Sequence, residues 1–72
     1  MDIKTLEYIH KLLVETDRAA KEEFTAAIRA VENAEEVNVP ATYEMRKRLD
    51  NARKAKNQAY EALHVFEETD FR

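Results

Sequence analysis

Two histidines each follow a glutamate by three residues, Glu7 with His10 and Glu61 with His64. In a helix this spacing turns a carboxylate and an imidazole to one side, an arrangement that some helical bundles use to hold metal ions. The candidate metal ligands are therefore Glu7, His10, Glu61 and His64. The apolar pattern, however, puts His10 between the helices and His64 on an outer face, so that one ion would not reach both. A metal-binding bundle is therefore the third and least favoured reading of the function, and we expect no cofactor.

Three ionisable residues, His10, Asp17 and Lys56, interrupt positions that are otherwise apolar at helical spacing. Ionisable groups inside a core destabilise it unless they are paired, and their best attested use is to fix register and oligomeric state. If the chain folds back about Asn38, Asp17 lies near Tyr60 and within reach of Lys56. We expect a structural polar network here. A functional cleft around Asp17 is the alternative, although no set of nucleophile, base and orienting group is visible.

Residues 46–56 form a dense basic run, with six positive side chains against one negative and a net charge of +5. Basic stripes of this kind bind phosphate backbones through the release of counterions. Folding back would bring glutamates 22, 23 and 32 close to the run and neutralise it. A solvated, salt-bridged face is therefore favoured, and a nucleic acid is the alternative partner. The candidate anion-binding residues are Arg46, Lys47, Arg48, Arg53 and Lys54.

These side chains must be positioned by helices, because apolar residues recur every third or fourth position along most of the chain. The spacing predicts helix one over about residues 3–36 and helix two over about 41–69. Between them, residues 37–40 form a turn, since Pro40 disfavours helix in the residue before it and fits the first turn of the next helix. Asn38 either ends helix one in the left-handed conformation or caps helix two. The sequence thus predicts one all-α domain, an antiparallel two-helix hairpin.

Each helix also carries more apolar surface than a single neighbouring helix can cover, because a second apolar line runs beside the first. A chain of 72 residues is near the size at which a single core is marginal without disulfides, metals or oligomerisation. We therefore expect a homodimer that forms a four-helix bundle, or docking onto a larger protein. The predicted interface residues are Ile9, Leu12, Ala19, Ala26, Ile28, Ala55, Tyr60, Ala62 and Val65.

The residue types that are missing exclude several classes of function. The sequence has no glycine, cysteine, serine or tryptophan. It therefore lacks the glycine-rich loops that bind nucleotides, the thiolate nucleophiles and metal ligands, and the commonest hydroxyl nucleophile. No apolar run approaches about 18 residues, and the first residues do not resemble a signal peptide. We expect a non-enzymatic, cytoplasmic interaction protein that does not associate with membranes.

Overall fold

The computed structural model describes residues 2–69, which form two α-helices packed against each other as an antiparallel hairpin. Helix α1 spans Ile3–Glu36 and helix α2 spans Tyr43–Thr69. The all-α class and the helical hairpin are confirmed, and no strand occurs within residues 2–69. The molecule measures 54 × 15 × 14 Å. We call the end of the molecule that contains the connection between the helices the turn end, and the opposite end the free end.

Local hydrogen bonds fix where the helices begin and end. Asp2 caps α1, because its carboxylate accepts a hydrogen bond of 3.4 Å from the Lys4 N–H. Asn38 has a φ of 58°, in the left-handed region that asparagine tolerates, and so ends α1. Just beyond it, the Val39 N–H donates to the Ala34 carbonyl over 2.8 Å. The turn therefore uses Asn38 to end the first helix.

The second helix begins at Tyr43, slightly later than the predicted position near 41. The reason is Thr42, whose hydroxyl oxygen accepts a hydrogen bond of 3.1 Å from the Met45 N–H. Its carbonyl also accepts a hydrogen bond of 3.1 Å from the Arg46 N–H. A threonine in this position satisfies backbone donors that have no partner inside the helix. Thr42 therefore defines the start of α2.

The core between the helices is narrow. Its residues have at most 9% of their surface exposed, and no large side chain among the described residues is less than 2% exposed. Alanines near the turn end let the helix backbones approach closely, whereas larger side chains fill the gap toward the free end. The buried residues are Asp17, Ala27 and Ala34 of α1 and Ala52, Ala59, Leu63 and Phe66 of α2.

The hairpin exposes more surface than a globular protein of its mass. Its accessible surface is 5709 Å², against about 4,600 Å² for a typical folded monomer of this size. Its radius of gyration is 16.2 Å, against about 11 Å for a compact domain of equal length. The two helices therefore leave about 1,100 Å² more surface in water than a compact fold would. Among the described residues, no helix has the length and apolar character needed to cross a membrane.

Candidate interaction surface

Two grooves follow one another along the same side of the hairpin, where α1 and α2 meet. The groove nearer the turn has a volume of about 480 Å³, and the one nearer the free end about 470 Å³. We call this side the grooved flank. Its lining includes Leu13 and Glu23 of α1 and Arg48, Asn51, Ala55, Gln58, Ala62 and Val65 of α2.

Helix α1 extends the grooved flank with a second apolar line. Leu12, Thr16 and Ala19 precede Glu23 at spacings of four, three and four residues, which places all of them along one side of the helix. Leu12 is 43% exposed. Ile9 lies one turn before Leu13 and is half-buried. The second apolar line of α1 therefore borders the same grooves as the lining residues of α2.

Three of the predicted interface residues line the grooves, and helical spacing places three more on the adjoining side of α1. On α2, Ala55 and Ala62 are exposed, and Val65 is 55% exposed. Polar groups lie beside these side chains: Gln58 and Glu61 line the groove nearer the free end, and the groove nearer the turn is lined mainly by Glu23, Glu44, Lys47, Arg48 and Asn51. The six residues are Ile9, Leu12 and Ala19 of α1 and Ala55, Ala62 and Val65 of α2. Their role in binding stays a prediction.

The other three predicted interface residues lie elsewhere. The Tyr60 ring is on the opposite side of α2, where the Lys21 Nζ lies 5.9 Å from the ring centroid. Ile28 follows Lys21 by two helical turns and so lies on that side of α1. We call this side the tyrosine flank. Ala26 is exposed and lines a third groove, along α1, with Asp17 and Arg29. Any interface role of these residues also stays a prediction.

Asp17 lies buried at the tyrosine flank and is paired within its own helix. Its Oδ2 atom lies 2.8 Å from Lys21 Nζ, one turn along α1. The expected partner Lys56 instead lies over the Phe24 ring, with its Nζ atom 4.9 Å from the centroid. Asp17 Oδ1 is buried and has no hydrogen-bond partner within residues 2–69. Lys21 thus links the Asp17 carboxylate to the Tyr60 ring, as in a structural polar network.

The two histidines meet at a glutamate that the sequence pattern did not single out. His10 Nε2 lies 2.8 Å from Glu67 Oε2, and His64 Nδ1 lies 3.9 Å from Glu67 Oε1. His10 also stacks on Phe66, with ring centroids 6.2 Å apart. The spacing of Glu67 three residues after His64 could have pointed to this contact, because such residues share one helix side.

Glu67 therefore links α2 to α1 near the free end. The Glu-x-x-His pattern drew attention to Glu7 and Glu61, but both are exposed, and neither forms an ion pair with a histidine in the part of the chain that the structure describes. Across residues 2–69, no three histidine or carboxylate side chains converge in a way that could hold a metal ion. The observed geometry is that of an interhelical polar contact.

The basic run of α2 is neutralised in part by α1. The Arg48 guanidinium donates two hydrogen bonds to the Glu23 carboxylate, of 2.6 and 3.2 Å. These bonds hold the pKa of Glu23 below its usual range and raise the pKa of Arg48. Lys54 pairs with Asp50 of its own helix at 3.2 Å. Two of the five candidate anion-binding residues thus have acidic partners.

The other three, Arg46, Lys47 and Arg53, are exposed and form no ion pair in the described part of the chain. A spacing of seven residues places Arg46 in line with Arg53, and Lys47 in line with Lys54. Because adjacent residues are about 100° apart around a helix, these two lines lie on neighbouring sides of α2. Lys47 also lines the groove nearer the turn, so these basic side chains extend from the outer side of α2 to the grooved flank.

No protein-family model matches the sequence, and neither a curated protein nor a solved structure shows significant similarity to it.

Proposed function

We propose that the protein is a small, non-enzymatic interaction module of the cytoplasm that acts by homodimerisation or by docking to a larger protein. The observation that carries this proposal is the grooved flank, where apolar side chains of both helices stay exposed near the free end. Leu12 and Val65 keep about half of their surface in water there. A helix of another molecule packed along the grooved flank would bury these two side chains.

The incomplete core supports the same proposal. The residues buried most completely are alanines, with Ala27 at 1% and Ala52 at 4% exposure, whereas Leu63 and Phe66 stay at 8% and 9%. Apolar burial contributes about 25 cal/mol per Å², so an alanine-rich contact between two helices stabilises them less than a fully packed core. Small domains commonly gain the missing stability from association.

The deciding experiment combines sedimentation with thermal unfolding over a wide range of protein concentrations. We expect a mass well above the 8.4 kDa of one chain and a melting temperature that rises with concentration, because association stabilises the folded state by mass action. A mass of 8.4 kDa at every concentration, with a melting temperature that stays constant, would contradict self-association. If the protein also retains no binding partner from a cell extract, docking to a larger protein would be contradicted as well.

A second candidate function, a regulator that binds nucleic acid, is supported by three exposed basic residues of α2. Arg46, Lys47 and Arg53 lack acidic partners within residues 2–69 and could contact phosphates. Binding of this kind weakens steeply as salt concentration rises. Its test is retention of duplex DNA and of paired RNA at low salt, compared between the protein and an Arg46→Glu, Arg53→Glu variant. Equal retention, or none by either protein, would count against this function.

A further inference from the structure

We infer that α2 binds duplex DNA by lying in its major groove, with the side that points away from α1 turned toward the bases. We call this side, between residues 43 and 57, the outer face. The inference rests on the second candidate function, the regulator that binds nucleic acid, and specifies the kind of nucleic acid and how it is bound. Its support comes from the position, the charge pattern and the dimensions of the outer face.

The outer face is available in the hairpin, because α1 packs against the opposite side of α2. Ala52 and Ala59 are buried between the helices and lie about 160–180° around α2 from Tyr43. Tyr43 accordingly has 77% of its surface exposed. The helix can therefore present the outer face to a large partner without any movement of α1.

Two lines of basic side chains follow the edges of the outer face. Arg46 and Arg53 form one line, and Lys47 and Lys54 form the other. Seven residues amount to almost two turns, so each line runs nearly along the axis, and the two lines lie about 100° apart on either side of Tyr43. A phosphate backbone borders the major groove on each side, and basic side chains are its usual contacts. A single strand would need only one such line.

The dimensions of the outer face fit the same groove. A helix with its side chains is about 10–12 Å across, and the major groove of B-DNA is about 12 Å wide. Along the axis, Arg46 lies about 10 Å from Arg53, which corresponds to about three base pairs at 3.4 Å each. Each basic line can therefore follow one backbone over a short segment of duplex.

The line between the basic side chains carries groups that can contact base edges. Asp50 and Asn57 follow Tyr43 at intervals of seven residues, and both are exposed. An asparagine amide can form two hydrogen bonds with adenine, and a carboxylate can accept one from cytosine. Asp50 pairs with Lys54 at 3.2 Å, but both side chains are more than half exposed. Such a surface pair is weak, so a phosphate can replace Asp50 as the partner of Lys54.

Positive charge is concentrated on the outer face although the whole chain has a net charge of −3. The four basic residues of the two lines and one acidic residue, Asp50, give this face a net charge of +3. Glu44 is the other acidic residue between 43 and 57, and it lines a groove of the grooved flank instead. Within residues 2–69, neither Arg46 nor Arg53 forms an ion pair with an acidic residue of α1.

Fluorescence anisotropy tests the inference with a short DNA duplex of mixed sequence, the same sequence as an RNA duplex, and one DNA strand alone. We expect the DNA duplex to bind at least tenfold more tightly than the RNA duplex, because the deep, narrow major groove of RNA does not admit a helix. Two double variants, Arg46→Gln with Arg53→Gln and Lys47→Gln with Lys54→Gln, each remove two phosphate contacts. Each should therefore reduce the slope of log affinity against log salt concentration by about 1.8.

Arg18→Gln with Arg29→Gln is the matched control, because it removes the same charge from two exposed side chains of α1. We expect the control to leave the slope unchanged. An equal reduction by the control, or an effect of only one of the two basic lines, would overturn the inference. Circular dichroism of all three double variants checks that they remain helical.

The other outcomes separate the inference from the functions on which it builds. Equal or tighter binding of the RNA duplex or of the single strand would overturn docking in the major groove and leave the second candidate function intact. Absence of binding to all three nucleic acids at low salt would overturn the inference and the second candidate function together. The proposed interaction module would still stand or fall by sedimentation alone.

Discussion

Glu23 and Arg48 form the one interhelical ion pair with a bidentate geometry among the described residues, and both side chains are about half exposed. The hydrogen bonds from Arg48 lower the pKa of Glu23. A carboxylate whose pKa is lower in the folded protein stabilises the fold above its unfolded pKa, and this contribution disappears as the pH falls through the folded pKa. Because solvent screens the pair, its contribution is small.

We therefore expect Glu23→Gln to lower the free energy of unfolding slightly at neutral pH and to have no effect at about pH 2, where both proteins lack the ion pair. Urea unfolding at the two pH values measures the difference. Glu22→Gln is the matched control, because Glu22 is exposed and forms no ion pair within residues 2–69. Equal effects of the two variants at neutral pH would show that the pair does not stabilise the fold.

The buried pair of Asp17 and Lys21 leads to a different expectation. Asp17 is 7% exposed and retains an unpartnered oxygen, so Asp17→Leu removes a costly buried charge. We expect Asp17→Leu to leave the free energy of unfolding unchanged or to raise it by about 1 kcal/mol. Lys21→Met instead leaves the buried Asp17 carboxylate without its cationic partner, and we expect it to lower the free energy of unfolding by about 1–2 kcal/mol. Urea unfolding of both variants checks this contrast. Equal destabilisation by both changes would mean that the ion pair itself stabilises the fold.

At the scale of the elements, the apolar period located both helices, because side chains three and four residues apart share one helix side whatever the rest of the fold does. Pro40 and Asn38 marked the turn for equally local reasons. The start of α2 was less predictable. Asn38 and Thr42 are both suitable N-cap residues, and only the path of the backbone determines which of them caps the first turn of α2.

Polar partners were harder to predict than helices. Periodicity indicates the side on which a residue lies but not the small rotation and shift of one helix against the other. Lys56 was therefore expected beside Asp17, whereas it lies over Phe24, and Asp17 pairs with Lys21. The contact between His10 and Glu67 likewise depends on interhelical register at the free end. Side-chain pairs across two helices require three-dimensional information that spacing along one helix does not contain.

The cap of α2 offers a prediction that concerns one element. Thr42→Ala removes the hydroxyl that accepts the Met45 N–H, and we expect it to lower the free energy of unfolding by about 1 kcal/mol. Thr25→Ala is the control, because the Thr25 hydroxyl bonds only the Lys21 carbonyl inside α1 and alanine has the higher helix propensity. Urea midpoints measure both changes. A destabilisation by Thr25→Ala as large as that by Thr42→Ala would rule out a capping effect.

For the whole molecule, the main expectation concerns association through the grooved flank. Val65→Glu introduces a charge into this flank, and we expect it to weaken self-association at least tenfold, about 1.4 kcal/mol. Sedimentation at several concentrations gives the dissociation constants. Asn57→Glu is the matched control, because it adds the same charge to an exposed side of α2 away from the grooves. If both variants associate as the unchanged protein does, the grooved flank is not the interface.

The tight contact at Ala27, which is only 1% exposed, also has a mechanical consequence. At 1.5 Å per residue, α1 reaches about 36 Å from Ala27 to Ile3. A change of about 5° in crossing angle at this point would therefore displace the far tip of the helix by about 3 Å. A tilt of α1 about its close contact at Ala27 thus has its largest effect at the N-terminal end of the helix. Adding a single methyl group at this position would therefore change the separation of the two helices more at the free end than at Ala27 itself.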